Sequence, residues 1–475
     1  MEKEKFYITT TLAYVNADLH IGHAAEFIRA DILARYKRLI GFDVILNTGT
    51  DEHGQKIFNT AQEKGIDVQD LVDNQVNRFK DQVQKMNVDY TNLIRTTDDY
   101  HQEAAQEFWK KCEENGDIYK KIYKVKYCVG CELEKTDSEL VNGECPLHPG
   151  KKIEEIEEEN YFFRFSNYQE KLLKLYEENP NFVIPDFRQN EIKKFVERGL
   201  QDFSISRLKE KMSWGVPVPG DEDHVMYVWF DALVNYVSTI GWPNDMGKFE
   251  QYWPVFQVCG KDNLRQQSAM WQAMLMSAGL ESSKQVHVFG FINSGGQKMS
   301  KSIGNVINPL EITDEYGTDT LRYLVARYIN MYEDSDVTLE KIKDMYNADL
   351  ANGLGNLVSR IMKMVENYEI YFELKDFKLE NQEGFVKFMD DFDLNGASGL
   401  IWEKIKYLDG KIQEEEPFKV AKEDLGKAQE MVADYVPVLW EIANLLEIFI
   451  PETAQKIQEI IKSKKAPLEL LFLRK

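Results

Sequence analysis

Three groups of side chains in this sequence have types and spacings that could do chemistry. Two residues separate Cys128 from Cys131, thirteen separate Cys131 from Cys145, and His148 follows in Cys145-Pro-Leu-His148. Three thiolates and one imidazole make a closed tetrahedral zinc set, which leaves no position for substrate and so predicts a structural role. A redox dithiol, or a ligand set without its metal, fits the same spacing. The second group is His20-Ile-Gly22-His23, two imidazoles where a loop turns into a helix. Helix N-termini suit phosphate, and Gly22 permits close approach of the backbone. Two polar residues in an ordinary first turn would read the same way. The third is Gly295-Gly-Gln-Lys298-Met-Ser-Lys301-Ser302. Two ammonium groups on a glycine loop can clamp a triphosphate and stabilise charge on a leaving pyrophosphate. A basic surface loop is the plain alternative, and it weakens once the paired histidines are present.

These groups need elements to position them. Phe6-Tyr-Ile-Thr-Thr10 reads as a strand, and the polar loop Tyr14-Val-Asn-Ala-Asp-Leu19 follows it. Ala24, Phe27, Ile28, Ile32, Leu33 and Tyr36 recur at helical spacing. Gly41 ends that helix, and Asp43-Val-Ile-Leu-Asn47 begins a second strand. Such a βαβ opening predicts a doubly wound parallel sheet. Residues 118–215 break the pattern. They carry the clustered cysteines, the acidic run Glu154-Glu-Ile-Glu-Glu-Glu159 and a helical stretch near 168–178, as an insertion between two halves of a nucleotide-binding fold would. Strand-like segments return at Tyr227-Val-Trp229-Phe230, Val255-Phe-Gln-Val258 and Val286-His-Val-Phe289, with a helix containing Met270, Met274 and Leu275 between the last two. From about residue 340 the pattern is helical. Leu350, Leu354, Leu357, Ile361 and Val365 form one buried stripe, and Ile442, Leu445, Leu446 and Phe449 another, as in a helix bundle. The expected fold class is α/β, a Rossmann-like doubly wound parallel sheet split by a zinc-bearing connective insertion and followed by an all-α bundle. The expected divisions are 1–117, 118–215, 216–293, 294–345 and 346–475.

Bulk properties narrow the function. The chain has 475 residues, enough for about three domains. No apolar run approaches the roughly 20 residues that cross a bilayer. Met1-Glu-Lys-Glu-Lys5 has no apolar signal core, so a cytoplasmic protein without membrane association is expected. The net charge of −22, from 58 bases against 80 acids, argues against a non-specific nucleic-acid binder. It leaves room for an enzyme that meets RNA through local patches, because charges more than about 8 Å apart are screened. The cysteines are Cys112, Cys128, Cys131, Cys145 and Cys259; an odd, clustered set suggests metal rather than a disulfide framework.

Taken together, the histidine and lysine strings resemble the HIGH and KMSKS signatures of class I aminoacyl-tRNA synthetases, in the expected order and strand-loop contexts. Thr48-Gly-Thr-Asp51-Glu-His53-Gly-Gln-Lys-Ile57, Leu200-Gln-Asp-Phe-Ser-Ile-Ser-Arg207, Tyr227-Val-Trp229-Phe-Asp231-Ala232-Leu233 and Leu350-Ala-Asn-Gly-Leu-Gly-Asn356-Leu-Val-Ser-Arg360 narrow the resemblance to methionyl-tRNA synthetases. It runs from about residue 5 to the C-terminus. It implies activation of L-methionine with ATP and Mg2+, then transfer to tRNA(Met). Asp51 would hold the substrate ammonium, and Leu12, Tyr14, Trp229, Ala232, Tyr236 and Phe289 would line the side-chain pocket. Aromatic rings suit a polarisable thioether. Gly260-Lys-Asp262 would hold the ATP ribose, with Gly22 also at the nucleotide. Arg207, His20, His23, Lys298 and Lys301 would manage phosphate charge. The resemblance also implies the single zinc knuckle of Cys128, Cys131, Cys145 and His148, and an anticodon-binding role for the helical domain. Asn356 and Arg360, four apart on one helix face, would read anticodon bases; a capping or buried polar pair is the alternative. Phe418, after Pro417, would stack on an unpaired base, or serve as an ordinary core residue. With no added module after Leu470-Leu-Phe-Leu-Arg-Lys475, a monomer is expected.

Several positions depart from the family. Phe289-Gly290 stands where histidine usually precedes the glycine, Gln266-Gln267 where a Phe-His pair is usual, Ala13 for a frequent proline, and Pro417-Phe418 for Pro-Trp. These bear on how methionine's sulphur is recognised, not on the phosphate machinery. Enzymes for valine, isoleucine and leucine carry a far larger editing insertion, a cysteine-specific enzyme would use its zinc on substrate, and a non-catalytic relative would be expected to lose the lysine loop or the histidines.

Overall fold

The computed structural model describes residues 3–15, 18–131, 133–135, 139–299 and 304–475. The chain forms two compact units. One contains residues up to Leu19, Phe42–Gln82 and Asp89–Phe289; the other contains His20–Gly41, Val83–Val88 and Gly290–Lys475.

The first unit is built on a seven-stranded sheet in which every pairing is parallel. Its order is Ala13–Tyr14, Asp43–Asp51, Lys5–Thr9, Phe256–Gly260, Gln285–Phe289 and Val183–Ile184, with Asn92–Arg95 also paired to Asp43–Asp51. The central strands are near-continuous apolar runs. Phe6 to Thr9 and Val44 to Asp51 are buried without interruption, as parallel strands covered on both faces must be. Strand Lys5–Thr9 is flanked by Asp43–Asp51 on one side and by Phe256–Gly260 on the other. The chain therefore leaves the central strand in one direction and returns on its other side, which is the switch-point arrangement that opens a crevice at the strand ends.

An antiparallel sheet interrupts this plan, with order Leu133–Lys135, Ile118–Cys128, Ile153–Phe163, Phe203–Ser204. Ile118–Cys128 and Ile153–Phe163 pair along eleven residues, so Cys128 lies at the tip of a long ribbon. One segment departs from the sequence reading. No residue of the strand-like Tyr227-Val-Trp229-Phe230 is in a strand: the strand His224–Met226 ends just before it, and Val228–Leu233 is helical. Val228, Phe230, Ala232, Leu233 and Val234 are all buried. An apolar run covered on every side carries no period by which strand and helix can be told apart.

In the second unit the helix Ile21–Leu39 belongs with the C-terminal helices. Arg322, fully buried, holds this unit together: it pairs with Asp31 at 2.7 Å and donates to the carbonyl oxygens of Phe449 at 2.8 Å and Asn87 at 2.9 Å. Both expected stripes are buried, Leu350 to Val365 beside Ile442 to Phe449, on the helices Asn356–Asn367 and Leu425–Leu446 and their flanks. Among the described residues, no helix is long and apolar enough to cross a membrane.

Candidate active site

In the first unit, residues implicated by sequence gather at the carboxyl ends of the parallel strands. Leu12 and Tyr14 follow Lys5–Thr9, Asp51 ends Asp43–Asp51, Gly260 ends Phe256–Gly260 and Phe289 ends Gln285–Phe289. Tyr14 and Asp51 are register partners. A Cβ at Gly260 would lie 2.7 Å from the Asp262 carboxylate, so glycine there lets that side chain fold back over the strand end. Asp51, Ala232, Tyr236 and Phe289 are buried, whereas Leu12, Tyr14 and Trp229 are part-exposed and Asp262 is exposed.

The helical segments Val228–Leu233 and Asn235–Ser238 present Trp229, Ala232 and Tyr236. Two side-chain bonds tie them to the sheet. Asn47 Nδ2 donates to Asn235 Oδ1 at 3.1 Å, and the Tyr7 hydroxyl donates to the Tyr236 carbonyl oxygen at 2.9 Å. Arg207, on the short strand Ser206–Leu208, is buried. Its guanidinium lies 4.3 Å from the Tyr227 ring and 5.3 Å from that of Tyr127, and Nη1 donates to Ser204 Oγ and the Ser206 carbonyl oxygen, both at 2.8 Å.

In the second unit, His20 caps the helix Ile21–Leu39. Its Nδ1 accepts from Gly22 N at 3.1 Å, while His20 N donates to His23 Nδ1 at 3.3 Å. The rings stack with centroids 3.9 Å apart. Because each Nδ1 accepts, each neutral ring carries its proton on Nε2, giving two imidazole N–H donors at a helix N-terminus. Burial, then the neighbouring His20, pushes the His23 imidazole well below its ordinary pKa. The His23 ring is therefore held neutral rather than as an imidazolium.

The start of this helix is fastened to the segment beyond the lysine string, where Ile21 N donates to the Ile307 carbonyl oxygen at 3.1 Å. The string itself begins as a hairpin. Ile292–Ser294 pairs with Gln297–Lys298 around Gly295 and Gly296, whose φ values of 63° and 74° give the two-residue turn that glycine favours. Lys298 is exposed, its Nζ 4.9 Å from the Phe291 ring centre. Lys301 lies outside the described residues.

The four knuckle ligands converge at the ribbon tip. Cys128, Cys131 and Cys145 Sγ and His148 Nδ1 all lie within 4.8 Å of one another. Cys131 Sγ is 3.3 Å from Cys145 Sγ and 3.2 Å from His148 Nδ1, and both Cys128 and Cys145 are 4.0 Å from that nitrogen. A tetrahedron with zinc–ligand bonds of about 2.0–2.3 Å has edges of about 3.5–3.8 Å, so the set fits zinc. A Cβ on Gly130 would lie 2.4 Å from the His148 ring, which makes glycine at that position a condition of the cluster.

Comparison with known proteins gives the family of this chain. The family model for class I tRNA synthetases of the M type matches residues 6–156 and 148–362. The methionine–tRNA ligase of Thermotoga maritima is 40% identical, covering 98% of this chain and 76% of that protein. The Brucella suis counterpart is 40% identical, covering 97% and 92%. The structure of Mycobacterium tuberculosis methionyl-tRNA synthetase in complex with methionyl-adenylate superposes with a TM-score of 0.91 at 33% identity, covering 99% of this chain and all of that one. This chain belongs to the class I methionine–tRNA ligases.

In this ligase the helix Asn356–Asn367 carries Asn356, exposed, and Arg360, part-exposed. Arg360 Nη1 pairs with Asp409 Oδ1 at 2.6 Å. Phe418 is 46% exposed on the turn Pro417–Val420, so it is not a core residue.

Sequence reasoning missed a buried triad centred on Asp231 of the helix Val228–Leu233. His53 Nδ1 lies 2.6 Å from Asp231 Oδ2, His101 Nε2 lies 3.0 Å from Asp231 Oδ1, and His101 Nδ1 lies 3.1 Å from Ser238 Oγ. Burial opposes the Asp231 charge most strongly, but the two imidazoles outweigh it and hold the carboxyl below its usual range. His53 and Asp231 both stood in the quoted motifs; their pairing across the chain left no sequence signal. Glu52 was missed in the same way. It is buried and held by Arg95 through Nε and Nη2, each at 2.8 Å.

Proposed function

We propose a division of labour for the ligation of methionine to tRNA(Met). The first unit holds methionine: Asp51 binds the ammonium, and Leu12, Tyr14, Trp229, Ala232, Tyr236 and Phe289 enclose the side chain. Gly260 and Asp262 take the ribose of ATP, and Arg207 a phosphate. ATP enters as its Mg2+ complex, the metal carried mainly by phosphate oxygens. His20 and His23 would donate from Nε2 to phosphate oxygens, with Gly22 keeping the backbone close, and Lys298 and Lys301 would neutralise the leaving pyrophosphate. The methionine carboxylate attacks the α-phosphorus and pyrophosphate departs. A terminal hydroxyl of tRNA then attacks the adenylate's carbonyl carbon and AMP leaves. Neither step needs an enzyme nucleophile; positioning and electrostatic stabilisation carry both.

Cys128, Cys131, Cys145 and His148 would bind one structural zinc, which would cross-link the ribbon tip. Asn356, Arg360 and Phe418 would read the anticodon. The corresponding divisions are 1–117 and 216–293 for the catalytic halves, 118–215 for the insertion, 294–345 for the lysine loop and stem contact, and 346–475 for the anticodon domain. The observation that carries the catalytic reading is the convergence of Leu12, Asp51, Gly260 and Phe289, from four strands, at the carboxyl edge of one parallel sheet, where ligands bind in this architecture. ATP–pyrophosphate exchange across all twenty amino acids tests it: methionine alone should support rapid exchange, and a different preferred amino acid would overturn the assignment.

A further inference from the structure

Asp51 is followed directly by a second carboxylate, and that one is built into the scaffold. Glu52 is fully buried. Its Oε1 accepts from Arg95 Nε at 2.8 Å and from the Thr50 hydroxyl, and its Oε2 accepts from Arg95 Nη2 at 2.8 Å and from Thr97 Oγ1 at 2.7 Å. Its backbone is held on both sides. The Glu52 N donates to Thr96 Oγ1 at 2.9 Å, and its carbonyl oxygen accepts from Trp214 Nε1. These partners come from separate elements. Thr50 and Arg95 are register partners on neighbouring parallel strands, Arg95 also pairs with Asp73 on the helix Val68–Lys85, and Trp214 lies far along the chain, past the short strand Ser206–Leu208.

A bidentate pair between arginine and a carboxylate fixes direction as well as distance. Both carboxylate oxygens of Glu52 are taken up by scaffold donors, so Glu52 does not serve a substrate ammonium. It holds the residue before it instead. The bond from the Thr50 hydroxyl to Glu52 Oε1 closes around Asp51, and on the far side His53 is tied to Asp231 at 2.6 Å. The Trp214 ring meets the His53 ring edge-on, with centroids 5.6 Å apart. The backbone is thus pinned before and after Asp51, where the strand Asp43–Asp51 ends. An apolar side chain would fill the place of Glu52 without the cost of desolvating a charge. A fully satisfied buried network, in return, rigidifies its surroundings into one geometry.

We propose that Glu52, braced by Arg95, is a positioning residue that aims the Asp51 carboxylate at the substrate ammonium. This rests on the assignment of Asp51 to that ammonium. The test is pyrophosphate exchange with Glu52→Gln, Arg95→Lys, Thr97→Val and Asp51→Asn, with thermal unfolding of each. Two competitive probes read the ammonium contact: L-methioninol, which keeps the amine, and 4-(methylthio)butanoate, which lacks it. Glu52→Gln keeps the volume but turns an amide N–H2 toward an Arg95 N–H, since one of the two oxygens becomes a donor. It should raise the methionine KM about three- to tenfold while the ATP KM stays within about twofold. Inhibition by L-methioninol should weaken by a similar factor, and inhibition by 4-(methylthio)butanoate should stay within about twofold, a split that a general loosening of the site would not give. Arg95→Lys keeps the charge but loses the fork, and Thr97→Val removes one donor; both should show the same split more weakly, and they carry the test if Glu52→Gln fails to fold. An unchanged methionine KM in the folded variants, equal rises in both KM values, or equal weakening of both probes would overturn the proposal. If Asp51→Asn also leaves the methionine KM and the L-methioninol inhibition unchanged, the ammonium assignment fails rather than the brace.

Discussion

His20 and His23 are locked into one unit by Gly22: the His20 ring folds back so closely that a Cβ at residue 22 would lie 2.8 Å from its Cε1. The capping bonds through both Nδ1 atoms and the stacking of the rings depend on that fold. Gly22→Ala should therefore swing His20 out of register and slow adenylate formation about 10²-fold, the scale of one lost transition-state donor. Single-turnover kinetics with a circular dichroism control would check this; a near-normal rate would show that the ring geometry is dispensable.

The knuckle should hold one zinc per chain, found by elemental analysis of protein purified without added metal. Cys145→Ala should lose the metal and expose the ribbon Ile118–Cys128/Ile153–Phe163 to limited proteolysis, because structural zinc contributes roughly 10–16 kcal/mol to small folded sites. Far less than one equivalent in the parent protein would count against a zinc site.

Arg360→Ala should reduce aminoacylation of tRNA(Met) at least about tenfold, a loss of about 1.4 kcal/mol, while leaving pyrophosphate exchange nearly intact. Its partner Asp409 is part-exposed, with 36% side-chain exposure, so losing this ion pair alone should cost no more than about 1 kcal/mol of stability. Equal losses in both assays would mean that Arg360 supports the fold instead of reading RNA.

Phe289 is buried at the end of its strand and offers a ring but no hydrogen-bond donor. His287, on the same strand face, is engaged with Gln285 Oε1 at 2.9 Å. Selection by shape should outweigh sulphur–aromatic contact, since a missing methylene costs about 1–3 kcal/mol and the contact about 0.3–1.5 kcal/mol. Norleucine should then be a fair substrate, and Phe289→His should change the methionine KM by no more than about tenfold. Exchange kinetics on both amino acids decide it, and near-total rejection of norleucine would point to a polar contact with sulphur.

Burial pushes the His287 imidazole down to about 3, against about 6.5 in an unfolded chain. Between those values the unfolded state binds a proton that the folded state refuses. Stability is thus fully present above about pH 6.5 and is lost as the pH falls toward 3. Urea unfolding at pH 7 and pH 5 should show His287→Asn losing about 2 kcal/mol less than the parent over that interval. Parallel losses would place the acid sensitivity elsewhere.

Much of this protein was legible in its sequence because the relevant physics is local. The knuckle ligands span residues 128–148, and the capping box lies within His20 to His23. The stripes from Leu350 to Val365 and from Ile442 to Phe449 follow from helical spacing alone, and their burial bears out that reading. The tertiary structure decided the rest. His53 and Asp231 are 178 residues apart, and Tyr236 and Gln267 are 31 apart; the residues themselves stood out in the sequence, but only chain closure makes the pairs. Closure also turned Val228–Leu233 into a helix, because burial on all sides erases the alternation that would identify a strand. It placed the helix Ile21–Leu39 with residues beyond Gly290, since the backbone bond from Ile21 to Ile307 and the buried pairing of Asp31 with Arg322 join segments that no local periodicity relates.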